Sequence, residues 1–290
     1  MSVPRSGAFL YDAPGPRTRR RIMIGSVVSA LVLAGLLALA LVQFGSHGQL
    51  AADRWAPFTE WPIWSYLLVG LRGTAQAAAL TAVLAGVLGV LLAIARSSTA
   101  RPLRWAATGY VEVARTLPVL LLIYLMLFGL PHYGINLPVL WKLVVPLTVA
   151  NSAVVAEIVR AGVLSLPRGQ TEAALSLGIS RAQAMRFVVL PQALRHVTPS
   201  LVTQLVSLVK DTSLGYVVAF TELLYRAQVL SAYNRLLVQT FLVVALIYLV
   251  FNGALSYLAA RLRTRVDRRV AAPTRAAEQA AARGLETPHG

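Results

Sequence analysis

Cysteine is absent from all 290 residues, which excludes disulfides and thiolate metal sites. Charge is scarce as well. Asp, Glu, Lys and Arg make up 13% of the chain, against roughly a quarter in a soluble domain. Lysine is almost missing, Lys142 and Lys210 being the only two. Neither follows a glycine, so there is no Gly-x-x-x-x-Gly-Lys-Ser/Thr loop through which to bind and hydrolyse ATP. The histidines (His47, His132, His196, His289) are scattered without ligand spacing, and no metal site is expected. No nucleophile–histidine–acid arrangement stands out, so no catalytic residue is assigned.

What is present is apolar. Hydrophobic residues make up 57% of the chain, mean hydropathy is +0.66, and several runs approach or exceed the roughly 20 apolar residues that cross a bilayer. The expectation is an all-α membrane protein. A net charge of +16 would suggest nucleic acid in a soluble protein. Here the arginines flank the apolar runs, where they set topology, and no nucleic-acid partner is expected. The first run, 22–44, follows Arg17, Arg19, Arg20 and Arg21. It is longer than the core of a signal peptide and lacks a convincing cleavage site, so it reads as a retained span.

Six transmembrane helices are expected. A Pro/Gly/Arg-rich tail covers 1–21, the first span 22–44, and a polar interfacial loop 45–62. The apolar stretch 63–94 exceeds one crossing and reads as a short interfacial helix leading into a span over 72–95. Further spans are expected at 105–130, 139–163, 197–216 and 236–260, with a short lateral helix within 217–235 and a basic tail over 261–290. The N-terminal tail, the Arg101 loop, the 168–191 insert and the C-terminal tail then share one side, which carries most of the arginine. That side is the cytoplasm, with both termini.

The insert is polar, basic and helix-prone: Gly169-Gln170-Thr171-Glu172-Ala173-Ala174-Leu175-Ser176-Leu177-Gly178, running on to Leu190-Pro191-Gln192-Ala193. Pro167 ends the span before it and Pro191 closes it. Gly178 is the break, because glycine takes positive φ without steric cost. Ser180 and Gln183 have capping-box spacing. The expected product is a helix–turn–helix with Glu172 at its head, favouring the dipole. Ala173 and Ala174 are small enough for a partner to approach the backbone, Leu177 and Ile179 offer apolar area, and Arg181 adds charge. The plainer alternative is a basic loop lying on lipid headgroups.

Charges inside apolar runs are costly and normally pair or face water. Lys210-Asp211-Thr212-Ser213 falls within the fifth expected span. Glu157 and Arg160 in the fourth, and Glu112 and Arg115 in the third, are candidate partners. Such charges either lock helices together or line a translocation path. Arg72, near the outer mouth, either anchors its span or attracts an acidic substrate. Thr116-Leu117-Pro118 and Pro146 mark expected kinks, and Gly86 and Gly89 mark close helix packing.

Tyr110-x-Glu112-x-x-Arg115-Thr116-x-Pro118, Ala156-Glu157-Ile158-x-Arg160-Ala161-Gly162, Pro167-x-Gly169-Gln170, Leu190-Pro191-Gln192-Ala193 and Lys210-Asp211-Thr212-Ser213-Leu214 together resemble the permeases of polar amino-acid ABC importers. In that family the Glu-Ala-Ala loop docks on an ATPase. The N-terminal Phe9-Leu10-Tyr11-Asp12-Ala13-Pro14-Gly15-Pro16 and the extra first span are similar to glutamate permease subunits of high-GC Gram-positive bacteria. One departure is Ala114-Arg115-Thr116-Leu117-Pro118, which replaces the family's Arg-Gly-Thr-Pro.

The resemblance implies a five-span type I permease core over 63–260, preceded by an extra span, with a coupling loop at 168–191. It also implies a non-catalytic subunit in the lipid bilayer of a bacterial cytoplasmic membrane. Its partners would be an ABC ATPase dimer that binds ATP and Mg, a second permease subunit (paralogue or identical copy), and an extracytoplasmic solute-binding protein. Glutamate is the first candidate substrate, with glutamine or another polar amino acid behind it. The competing classes are an ATP-independent channel or ion-coupled carrier, using Asp211 or Glu157 as relay, and a non-transporting membrane anchor.

Overall fold

The computed structural model describes residues 15–261 apart from position 259. The N-terminal motif from Phe9 to Pro14 and the basic tail beyond Arg261 lie outside the described residues. The chain divides after Glu60 into two units.

In the first unit, α1 (Pro16–Ser46) begins within the expected tail, because Pro16 is pre-set for a first helical turn. None of residues 17–46 is buried, as suits a helix whose apolar side chains meet lipid. The expected polar loop is structured. Gly48 turns at φ +66, and α2 (Ala52–Trp55) continues into a 3-10 turn, Ala56–Thr59. Trp55 Nε1 donates to the Gln49 carbonyl at 3.1 Å, and Arg54 donates to Gln49 Oε1 at 2.9 Å.

The second unit starts with α3 (Trp61–Arg96), a single helix of 36 residues and, at 1.5 Å per residue, about 54 Å long. The expected division into two helices does not occur. Its glycines are sites of close approach rather than breaks. A Cβ at Gly70 would lie 3.0 Å from Leu223 Cα, and one at Gly73 would lie 2.7 Å from the Thr221 carbonyl. The buried positions recur every three or four residues and are mostly small: Thr74, Ala77, Thr81, Ala85, Gly89 and Ala93. Such a stripe admits another helix closely. That helix is α7 (Val139–Ser165), and a Cβ at Gly89 would stand 2.6 Å from Val155 and 2.8 Å from the Ser152 carbonyl. Gly86 does not share this role, since nothing lies within 4 Å of its added Cβ.

The third expected span is broken. Helix α4 (Arg101–Thr116) and the segment Val119–His132 meet at 98°. Pro118 disfavours helical geometry in the residue before it, and Leu117 is extended at φ −76, ψ 130. The second limb is α5 (Val119–Tyr124), a π-turn (Leu125–Gly129) and α6 (Leu130–His132). A second π-turn, Met185–Val189, joins α9 (Arg181–Ala184) to α10 (Leu190–Asp211). Both π-turns immediately precede a Leu-Pro pair. Proline lacks an N–H and clashes with the carbonyl four residues back; an i→i+5 turn relieves both problems. Pro191 therefore does not close the insert, and the helix passes through it.

Helix α10 ends at Asp211, earlier than expected. Thr212 Oγ1 donates to the Val209 carbonyl and Ser213 Oγ to that of Lys210, each at 2.7 Å, and a 3-10 segment, Thr212–Val218, follows. Lys210 and Asp211 thus sit at a helix terminus, not deep in a span. Between them α7 and α10 carry α8 (Arg168–Ser176). The expected lateral helix is α11 (Leu223–Asn234), followed by α12 (Leu237–Leu258). Fully buried Glu222 caps α11, accepting from the backbone N–H of Leu224 at 2.7 Å and Tyr225 at 2.6 Å and from Tyr248 Oη at 3.1 Å. Four described helices (α1, α3, α7, α12) are long and apolar enough to cross a membrane, and five if the bent α4–α6 pair counts as one.

Candidate functional site

The insert folds as a helical hairpin. Helix α7 stops at Ser165, and only Leu166 and Pro167, both extended, separate it from α8. Gly178 turns the chain at φ +81. The Ser180 cap forms in full: Ser180 Oγ accepts from Gln183 N at 3.3 Å, and Gln183 Oε1 accepts from Ser180 N at 2.8 Å. Local chemistry placed these features correctly. Glu172, however, is the fifth residue of α8, past the first turn, so it is no dipole cap.

The two alanines point in different directions. Ala173 is exposed, whereas Ala174 is 4% exposed and faces the chain's own interior. Ala174 is therefore small to fit its own fold, not to admit a partner. Gly169, Gln170, Glu172 and Arg181 are exposed, and Ile179 is half-buried. Leu177 is 83% exposed at the tip. Gln192 Nε2 donates to Gln170 Oε1 at 3.3 Å, tying α8 to α10. Beneath the hairpin, an added Cβ on Gly162 of α7 would run into Val197 of α10 and stand 3.1 Å from the Ala193 carbonyl. The hairpin is thus rooted on two closely seated helices.

Of the charged residues singled out in apolar runs, three come together around a fourth charged residue, Arg96, at the end of α3. Arg96 Nη1 donates to Glu157 Oε1 at 2.6 Å, and Arg96 Nη2 lies 3.7 Å from Glu112 Oε1. Arg115 Nη1 stands 3.3 Å from Glu157 Oε1 and 3.9 Å from Glu112 Oε1. Two cations and two anions alternate, joining α3, α4 and α7. The signal for Arg96 was available: two carboxylates in apolar runs need cations, and Arg96 ends the neighbouring run.

Arg160, Lys210 and Asp211 form no ion pair within 4.0 Å among the described residues, so the expected bridges from Lys210 or Asp211 to the third and fourth spans are absent. Thr212 is buried, Ser213 is half-buried and Arg72 is exposed. A cleft of about 320 Å³ lies between α3, α7 and α10. Ala82 and Gly86 form one wall, and its polar feature is an amide pair, Gln204 Nε2 donating to Asn151 Oδ1 at 2.7 Å.

This architecture has relatives. Residues 85–268 match the family model described as binding-protein-dependent transport system inner membrane component. The chain belongs to that family. It is 38% identical to the glutamate transport system permease protein GluD of Corynebacterium glutamicum, over 74% of this chain and 81% of that protein. It is 38% identical to the probable glutamine ABC transporter permease protein GlnP of Bacillus subtilis, over 69% and 94%. Among solved structures, an amino acid ABC transporter with histidines superposes with a TM-score of 0.65 at 31% identity, covering 69% of this chain and 94% of that one. The MetNI methionine ABC transporter, at 22% identity and a TM-score of 0.61, shares the fold.

The chain is accordingly a permease subunit of an amino-acid ABC importer, an integral membrane component. Permeases of this family are non-catalytic, and ATP with its Mg is used by partner ATPases.

Proposed function

We propose that this permease admits a polar amino acid, glutamate first, from an extracytoplasmic binding protein to the cytoplasm of a bacterium, with both termini and the hairpin on the cytoplasmic side. The carrying observation is the hairpin: capped, rooted on α7 and α10, and baring Leu177 at its tip. An exposed apolar residue on a rigid mount suits insertion into a groove on another subunit. Closure of an ATPase pair on bound ATP pushes the hairpin, and α7 and α10 receive that push directly. Residues Gly169, Gln170, Glu172, Ala173, Leu177, Gly178, Ile179 and Arg181 form the docking region, with Ala174 as its internal packing. A second permease subunit completes the pore.

Glutamate is favoured by the relative GluD and by the glutamate/aspartate import permease protein GltK of Escherichia coli, 36% identical over 70% of this chain. Glutamine is the second reading, favoured by GlnP. Competition of labelled glutamate uptake by unlabelled glutamate, glutamine, aspartate and arginine separates them; failure of glutamate to compete refutes the first. The docking role is tested by paired arginines. Ala173→Arg should abolish uptake while leaving the folded chain in the membrane, whereas Ala174→Arg should also lower its thermal stability. Normal uptake by Ala173→Arg overturns the docking role.

A further inference from the structure

The hairpin's motion must reach the rest of the permease, and the ion cluster stands on that route. Helix α7 continues into α8 with only two residues between. Apolar contacts hold α7 against its neighbours: Val155 and Val159 cluster with Ala93 of α3, and Ala153 and Ala156 with Val111 and Ala114 of α4. Contacts of this kind are non-directional and select no particular partner atom.

Arg96 differs. Its side chain is 7% exposed and its guanidinium reaches carboxylates on two separate helices, Glu157 of α7 and Glu112 of α4. The carboxylates of Glu157 and Glu112 are 33% and 53% exposed, but the Arg96 side chain is not, and parting it from them strands its charge in a poorly solvated place. The guanidinium also presents a fixed fork of donors that spans two acceptors. Beyond Glu112 the next four residues are Val113, Ala114, Arg115 and Thr116, and the chain then turns through 98° at Leu117–Pro118 into α5.

We infer that Arg96 is a positioning residue for transport: it makes α4, and with it the bent arm α5–α6, follow the displacement that the hairpin imparts to α7. Removing the fork leaves the more exposed Arg115–Glu157 contact, 3.3 Å, as the ionic tie from α4 to α7; the ATPases still grip and move the hairpin while the arm lags behind. Energy is then spent without matching translocation. This inference rests on the docking role proposed above.

The test uses the complete importer in proteoliposomes: this chain, its ATPase partner, any second permease subunit and the binding protein. Uptake and ATP hydrolysis are measured together. Arg96→Gln should keep ATP hydrolysis and lower uptake per ATP by about fivefold or more, the lower end of ordinary coupling energies. Arg96→Lys keeps the charge and should recover part of the ratio, because one carboxylate is still held. Should Arg96→Gln fail to assemble, Glu112→Gln decides, since Glu112 is half exposed and its loss leaves the Arg96–Glu157 pair in place. It should lower uptake per ATP by about twofold to threefold. An unchanged ratio in Arg96→Gln, or in Glu112→Gln where the first does not assemble, overturns the inference. So does an Arg96→Lys ratio no better than that of Arg96→Gln. If the unaltered complex shows no ATP-dependent uptake, the docking role itself fails, which is a separate outcome.

Discussion

Gly89 gives the most direct test of how the permease core is held together. An added methyl would sit 2.6 Å from Val155 and 2.8 Å from the Ser152 carbonyl, where carbon contacts prefer about 3.5–4.0 Å. Helices α3 and α7 would have to part by about 1 Å, and overpacking of this kind costs about 1–3 kcal/mol. Ala in place of Gly also gains about 0.5–1 kcal/mol of intrinsic helix stability. Gly86→Ala supplies the correction, because it shares that gain and meets nothing within 4 Å. The difference between the two variants isolates the clash. At about 2–4 °C per kcal/mol for a domain of this size, Gly89→Ala should melt about 2–12 °C below Gly86→Ala. The assay is thermal unfolding of the purified protein in detergent, followed by size-exclusion chromatography. Adding Val155→Ala should recover part of the loss, and only part, since the Ser152 carbonyl is backbone. Indistinguishable melting of Gly86→Ala and Gly89→Ala would refute the close seam.

Ser180→Ala removes the acceptor for Gln183 N and should cost the second arm of the hairpin about 1 kcal/mol, read as faster amide exchange over Arg181–Ala184 with the membrane core unchanged. Glu222→Ala strands the N–H groups of Leu224 and Tyr225 and the Tyr248 hydroxyl, each worth about 1–3 kcal/mol when left unsatisfied. Glu222→Ala should therefore melt well below wild type, with Glu222→Gln between them. Equal melting of Glu222→Ala and wild type would show the carboxylate to be dispensable.

Features governed by one or two neighbouring residues were legible in the sequence. Gly178 and the Ser180–Gln183 box follow from backbone chemistry alone, and the break at Leu117–Pro118 follows from what proline does to the residue before it. Its sharpness did not, because the angle is set by where α5 packs against α7. Pro191 misled for the opposite reason: a π-turn absorbs it, and nothing in local composition distinguishes an absorbed proline from a terminating one. Ala173 and Ala174 look equivalent in a string, yet only the fold decides which is buried. Lys210 and Asp211 seemed mid-span because apolar residues continue past them, while the Thr212 and Ser213 hydroxyls end the helix there. The family was readable because its motifs sit at fixed spacing. The substrate was not, and relatives with the same motifs carry different substrate names.

The π-turn at Met185–Val189 also sets an aim. Each α-helical residue advances the chain by about 100° around its axis, so one residue more or fewer in that turn would press the Leu177 tip toward another compass bearing, against the two-residue tether to α7. A single-residue deletion there is thus a rudder. It would also return Pro191 to a clash with the carbonyl four residues back, so the aim of the tip and the start of α10 are fixed together.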